Sequence, residues 1–170
     1  MISRGLRNNN PGNIRRSRVR YRGEKHPSQD PDFKQFESMA MGYRAMFILL
    51  DTYRVRYGLR SIREMISRYA PPTENHTALY IETVCDLTGM LPDEQIDTRS
   101  RRVMVPIVSA MSRVENGEAA VMSEETRTLK QITMEDMNAA SKVFIELMGE
   151  SVTGRKKFIE ENAWRANIDV

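Results

Sequence analysis

RGLRNNNPGNIR, residues 4–15, is the stretch on which the fold turns. Three consecutive asparagines followed by Pro11 and Gly12 make a poor helix or strand but a well-specified polar loop. Asn side chains accept and donate local backbone hydrogen bonds, Pro11 fixes one φ, and Gly12 permits a left-handed or closely packed position. A structural cap is the default reading of such a turn, and its specificity raises a question of function.

Outward from this loop, Gly23, Pro27 and Pro31 break the chain too often for a long helix, so residues 4–37 read as irregular structure with a short hairpin. Phe33 and Phe36 are its expected anchors to the core. From Ser38 the pattern changes. Met39, Tyr43, Met46, Phe47, Leu50 and Tyr53 recur at three and four residues, as in a helix with one buried face ending near Gly58. Gly42 inside it costs about 1 kcal/mol relative to Ala, which points to a close contact that a side chain would block.

Ser61 begins a second helix, with Glu64 placed to complete a capping box, and Pro71 limits its length. A third runs from about Thr77 to Thr88, burying Tyr80, Ile81, Val84 and Leu87, and Gly89 stops it. Val103, Ile107, Val108, Met111 and Val114 define a fourth from around Ser100 to Glu115, kinked or begun by Pro106. Beyond it, Ser123 to Lys130 is a short helical candidate. Thr133 caps a better helix with Met137, Ala140, Val143, Phe144 and Leu147 on one side, and a basic helix over 155–164 presents Phe158, Ile159, Ala163 and Trp164. A core of residues 1–120 with a C-terminal helical extension, 121–170, packed on it is the expected organisation.

With 170 residues the chain suits one substantial core better than two. Its 26 Lys and Arg against 23 Asp and Glu leave +3, a mild excess that favours anionic partners such as cell wall or nucleic acid. Residues 4–25 hold eight Arg or Lys opposed by Glu24 alone. The single cysteine, Cys85, excludes an internal disulfide and reads as a small buried hydrophobe. No apolar run is long enough to span a bilayer, and the N-terminus does not read as a signal peptide. No Gly-rich phosphate loop is present, and two histidines, His26 and His76, with one cysteine do not make a zinc cluster. No cofactor or metal is expected.

RNNNPGNIR, Tyr21-Arg-Gly-Glu24, Gly42-Tyr-Arg-Ala45, the run Tyr69-Ala-Pro-Pro-Thr-Glu-Asn-His-Thr-Ala-Leu-Tyr80 and Glu115-Asn-Gly117 together resemble a phage and prophage family of small virion or lysis-associated proteins with a lysozyme-like domain. The resemblance covers residues 4–117. It implies a mainly α, lysozyme-like fold whose motif order resembles a circular permutation. It also implies a muramidase or lytic transglycosylase acting on the MurNAc-GlcNAc β-1,4 bond of peptidoglycan. The protein would then be virion-associated or held in the host cytoplasm before delivery to the cell wall, with other virion or tail proteins as partners. Val114 stands where the family often has His before Glu-Asn-Gly.

Glycosidic cleavage usually needs a carboxylic acid held partly desolvated beside the leaving oxygen. Glu115 suits that role, since the apolar face of residues 103–114 would bury its base while Asn116 and Gly117 release the chain into a loop. Glu24 is the rival catalytic residue, although nearby Arg20, Arg22 and Lys25 favour its ionised form. Asn8, Asn9, Asn10 and Asn13 are expected to bind acetamido or hydroxyl groups, with Arg15, Tyr21, Glu74, Asn75, Tyr80 and Asn116 as further substrate-binding candidates. Asn75 has a second reading as a helix cap. The competing function is that of a catalytically inactive phage structural protein, or a virion protein binding cell wall or nucleic acid through Arg4, Arg7, Arg15, Arg16, Arg18, Arg20 and Arg22.

Overall fold

The structure is a computed structural model that describes residues 2–116 and 141–145. The chain opens with one helical turn, α1 (Arg4–Arg7), capped by Ser3, whose hydroxyl accepts from the Leu6 N–H. Four residues are too few to show a hydrophobic period, so the turn is invisible in the sequence. The asparagine loop follows. Asn9 and Asn13 adopt φ of 51° and 45°, the left-handed region that Asn tolerates better than most residues.

The expected hairpin is present but minimal. Strands β1 (Glu24–Lys25) and β2 (Gln35–Phe36) pair antiparallel, with Glu24 opposite Phe36 and Lys25 opposite Gln35. An isolated bridge joins Arg15 to Phe33. Between loop and hairpin the chain alternates: Arg16, Arg18, Arg20 and Arg22 are exposed while Val19 and Tyr21 are buried. That two-residue period is the mark of an extended segment laid on the core.

Ser38 caps α2 (Met39–Tyr57) by accepting from the Met41 N–H, and Gly58 ends it in the left-handed conformation at φ 66°. Where the spacing predicts one buried face, every residue from Gly42 to Tyr53 is buried. The reason is position: α2 is packed against β2 and the helix that ends at Glu115, and also against the asparagine loop, so no long side of it meets water. A Cβ on Gly42 would collide with the Asn9 carbonyl oxygen and stand 2.5 Å from Pro11 Cδ, which accounts for glycine in mid-helix.

Helix α3 (Ile62–Tyr69) carries the expected capping box: Ser61 Oγ accepts from the Glu64 N–H at 3.2 Å while Glu64 Oε2 accepts from the Ser61 N–H at 3.2 Å. α4 (Thr77–Thr88) stops at Gly89. Asn75 does not cap it; His76 occupies that position, and Asn75 Nδ2 donates to the Pro71 carbonyl. α5 (Arg101–Glu115) has Pro106 inside it and packs along α4. Leu50, Ile62, Met65, Val84, Met104 and Val108 meet in the core, each contributing about 1.5–3 kcal/mol for a full-sized apolar side chain. Residues 141–145 are helical, and Phe144 packs edge-on against Phe47 with ring centroids 5.1 Å apart. The candidates at 123–130 and 155–164, the start of the helix expected after Thr133 and the boundary at 120 lie outside the described residues.

The described architecture is mainly α with one small, open two-stranded sheet. The lysozyme-like, circularly permuted topology implied by the motifs is not what this architecture supports. Much of the motif loop that suggested it is an internal brace. Asn10 is fully buried, its Oδ1 accepting from the Ile14 N–H at 2.9 Å and its Nδ2 donating to the Ile14 and Lys34 carbonyls.

Candidate functional site

Helix α5 ends by delivering Glu115 to the floor of a cleft of about 310 Å³. The opposite walls are the extended segment from Asn13 to Tyr21, the last turn of α3 with Arg68 and Tyr69, and the loop carrying Glu74 and Asn75. Two side-chain amides draw the N-terminal loop onto this end of α5. Asn13 Nδ2 donates to the Glu115 carbonyl at 2.8 Å and to its carboxylate Oε2 at 3.2 Å. Asn116 Nδ2 donates to the Pro11 carbonyl at 3.1 Å and to the Ser112 carbonyl at 2.7 Å.

Burial raises the Glu115 pKa above its ordinary 4.5, opposed by the nearby Tyr80 hydroxyl, the Asn13 amide and the Arg15 charge. The Tyr80 hydroxyl is buried and makes no hydrogen bond of ordinary geometry among the described residues, so its influence is one of proximity. Tyr69, which unlike Tyr80 lines the cleft, donates its hydroxyl to the Gly12 carbonyl, and burial pushes its own pKa up.

A raised carboxyl pKa sets the sign of a stability prediction. The folded protein holds the Glu115 proton more tightly than the unfolded chain, so the stabilisation is complete below the unfolded value and is lost as pH rises through the folded one. Glu115→Gln keeps an acceptor for Asn13 without the charge. It is expected to melt higher than wild type at pH 7 and to flatten the decline in stability between about pH 4.5 and neutrality. Thermal melts of both proteins across this range test it. A Gln variant less stable than wild type at pH 7, with the pH slope retained, would reverse the assignment.

The remaining candidates separate. Arg15, Tyr21, Glu74 and Asn75 line the cleft with Asn13 and Glu115. Arg15 and Glu74 are spent on each other in an exposed ion pair at 2.8 Å. Asn8 and Asn10 are buried and cannot meet a ligand; Asn8 is held by Asp30 and Gln35 at 2.8 and 3.0 Å. Asn9 Nδ2 donates to the Phe36 carbonyl, and Asn116 is an internal brace. Glu24 is not a free acid either: its side chain is 5% exposed and pairs with buried Lys34 at 2.9 Å. Among the described residues the cleft therefore pairs Glu115 with no second free carboxylate. Arg68, Tyr53 and Tyr69 belong to the cleft, although the sequence assigns none of them a role there. Their signal, a basic residue and aromatics on core helices, reads as ordinary packing in the sequence.

Among the described residues no group of three or more His, Cys, Asp or Glu is arranged to hold a metal, and no helix is long and apolar enough to cross a membrane.

A small helical domain braced by an asparagine loop, with a basic extended segment beside a cleft, has a phage relative. The chain is 37% identical over 128 residues to Protein P5 of Pseudoalteromonas phage PM2, covering 74% of this chain and 78% of that protein. It belongs to the Protein P5 family. Residues 117–160 also match the family described as DNA gyrase B subunit, carboxyl terminus. Over 50 residues the chain is 50% identical to the DNA gyrase B subunit of Clostridium acetobutylicum, and over 42 residues 57% identical to that of Micrococcus luteus. Those alignments take in 29% and 25% of this chain but 8% and 6% of the gyrase proteins.

These relatives overturn the lysis-associated family suggested by the motifs. They are a phage Protein P5 and DNA gyrase B subunits, and none carries the name of a glycoside hydrolase or lytic transglycosylase. The muramidase activity and peptidoglycan as its partner go with that correction. In the structure Glu24 is consumed by Lys34 and most of the asparagine loop is turned inward, which removes those residues from the candidate list.

Proposed function

We propose that this protein is a DNA-binding phage protein of structural rather than glycosidic role, acting in a virion or in the host cytoplasm. The observation that carries the reading is the row Arg16, Arg18 and Arg20, exposed at every second position of the extended segment, with Arg22 exposed in the turn that follows. Alternate residues of an extended chain lie about 6.5–7 Å apart, so the row presents evenly spaced positive charge along one edge, suited to a phosphate backbone. Residues 1–116 hold 19 Lys and Arg against 13 Asp and Glu, a net of +6, whereas residues 117–170 carry 7 against 10, a net of −3. The positive field is thus concentrated on the module bearing the arginine row. Similarity of residues 117–160 to the carboxyl terminus of the DNA gyrase B subunit supports the same partner.

Phosphate contacts of this kind give sequence-independent binding that weakens steeply with salt. Fluorescence anisotropy on labelled duplex DNA between about 0.05 and 0.2 M salt is the test. Changing Arg16, Arg18 and Arg20 together to Gln is expected to lower the slope of log K against log salt by about 2.7, roughly 0.9 for each lost contact. No binding by the folded wild type at low salt, or an unchanged slope in the triple variant, would overturn the reading.

A further inference from the structure

The cleft contains a cationic side chain that the arginine row does not use. The Arg68 guanidinium lies over the Tyr57 ring at 3.5 Å from its centroid and over the Tyr53 ring at 5.4 Å. Its Nε is buried and has no hydrogen-bond partner among the described residues. The other guanidinium of the cleft, Arg15, is engaged by Glu74 at 2.8 Å. Stacking on an aromatic face occupies the flat side of a guanidinium and leaves its N–H groups, which lie in the plane, to be satisfied elsewhere. That planar fork fits the two oxygens of a carboxylate or phosphate.

We propose that Arg68 is the oxyanion-binding residue of this cleft, which takes a small ligand bearing a phosphate or carboxylate group. The ligand's charged end lies in the plane of the Arg68 guanidinium, and its uncharged polar part faces the Asn13 and Glu115 end. The cleft volume of about 310 Å³ is at the lower end of small-molecule sites, which run from about 300 to 1,000 Å³. This site is independent of the DNA reading. Duplex DNA is too wide for such a cleft, and Arg16, Arg18 and Arg20 do not line it.

Isothermal titration of the full chain with inorganic phosphate, and separately with acetate, at ionic strength held constant with sodium chloride, tests the proposal. Saturable one-to-one binding of at least one of the two is expected, and the better arm tells phosphate from carboxylate ligands. Arg68→Met is expected to weaken it at least about tenfold. Arg68→Lys, which keeps the charge but not the fork, should fall between the two, and it carries the test if the Met variant fails to fold by circular dichroism. Arg16→Gln, outside the cleft, should bind the oxyanion as wild type does while losing DNA affinity. No saturable binding of either anion by folded wild type, or wild-type affinity in a folded Arg68 variant, overturns the proposal.

Discussion

Replacing Lys34 by alanine is expected to destabilise the protein by about 3–5 kcal/mol, the range for removing one partner of a buried ion pair. Lys34 is 1% exposed, and its ammonium donates to Glu24 Oε1 at 2.9 Å and to the Val19 carbonyl at 2.7 Å. Without it, Glu24 keeps a carboxylate in a site that is 5% exposed, and the Val19 carbonyl loses its donor. The Tyr21 N–H bond to Glu24 Oε2 and the more distant Arg20, at 3.7 Å, do not replace an ammonium in contact. Denaturant unfolding measures the loss, and a change below about 1 kcal/mol would show that Glu24 finds other compensation. The companion variant Lys34→Met with Glu24→Gln removes both charges and should recover a substantial part of the stability. Because Lys34 also clamps the backbone under the arginine row, Lys34→Ala should weaken DNA binding even in the fraction that remains folded.

Gly42→Ala is expected to cost about 1–3 kcal/mol, the usual range for overpacking. Helix propensity alone would give the opposite sign, a gain of about 1 kcal/mol for Ala over Gly. The atoms in the way decide the outcome. They are the Asn9 carbonyl oxygen and the Pro11 ring, backbone and near-backbone groups that cannot swing aside as a long side chain would. Gly42→Val, with a bulkier β-branched side chain at the same point, should be worse. Displacing the loop also pulls Asn13 from Glu115 and Asn116 from the Pro11 carbonyl, so oxyanion binding in the cleft should fall with stability. Urea unfolding with phosphate titration in the same samples checks both. A Gly42→Ala protein as stable as wild type would mean that the loop retreats from α2 at little cost.

Helix boundaries are legible in the sequence because their causes lie within a few residues. Ser38 and Gly58 bracket α2, Ser61 and Glu64 start α3, and Gly89 stops α4, each through hydrogen bonds or backbone angles set locally. The glycine at 42 likewise announces a close contact, though not with which group. Glu115 and Asn13, each a candidate in the sequence, meet on one cleft, a pairing that no local rule predicts. The activity attached to the motif resemblance does not follow, because a motif fixes residue types and leaves open what they face. Asn9 and Asn13 suit left-handed backbone, and Asn8 and Asn10 suit internal bracing, with no ligand required.

The partners that settle these roles are far along the chain. Asn13 meets Glu115 at a separation of 102 residues and Asn116 meets Pro11 at 105. Glu24 reads as a carboxylate in a basic loop, yet folding carries Lys34 beneath it and turns a candidate acid into half of a buried ion pair. Arg68 reads as a charge near the end of a short helix until α2 brings Tyr53 and Tyr57 beside it. Local propensity and capping act through neighbours in sequence. Burial, charge pairing and access to the cleft depend on neighbours in space, which the packing of α2 against the loop and α5 creates.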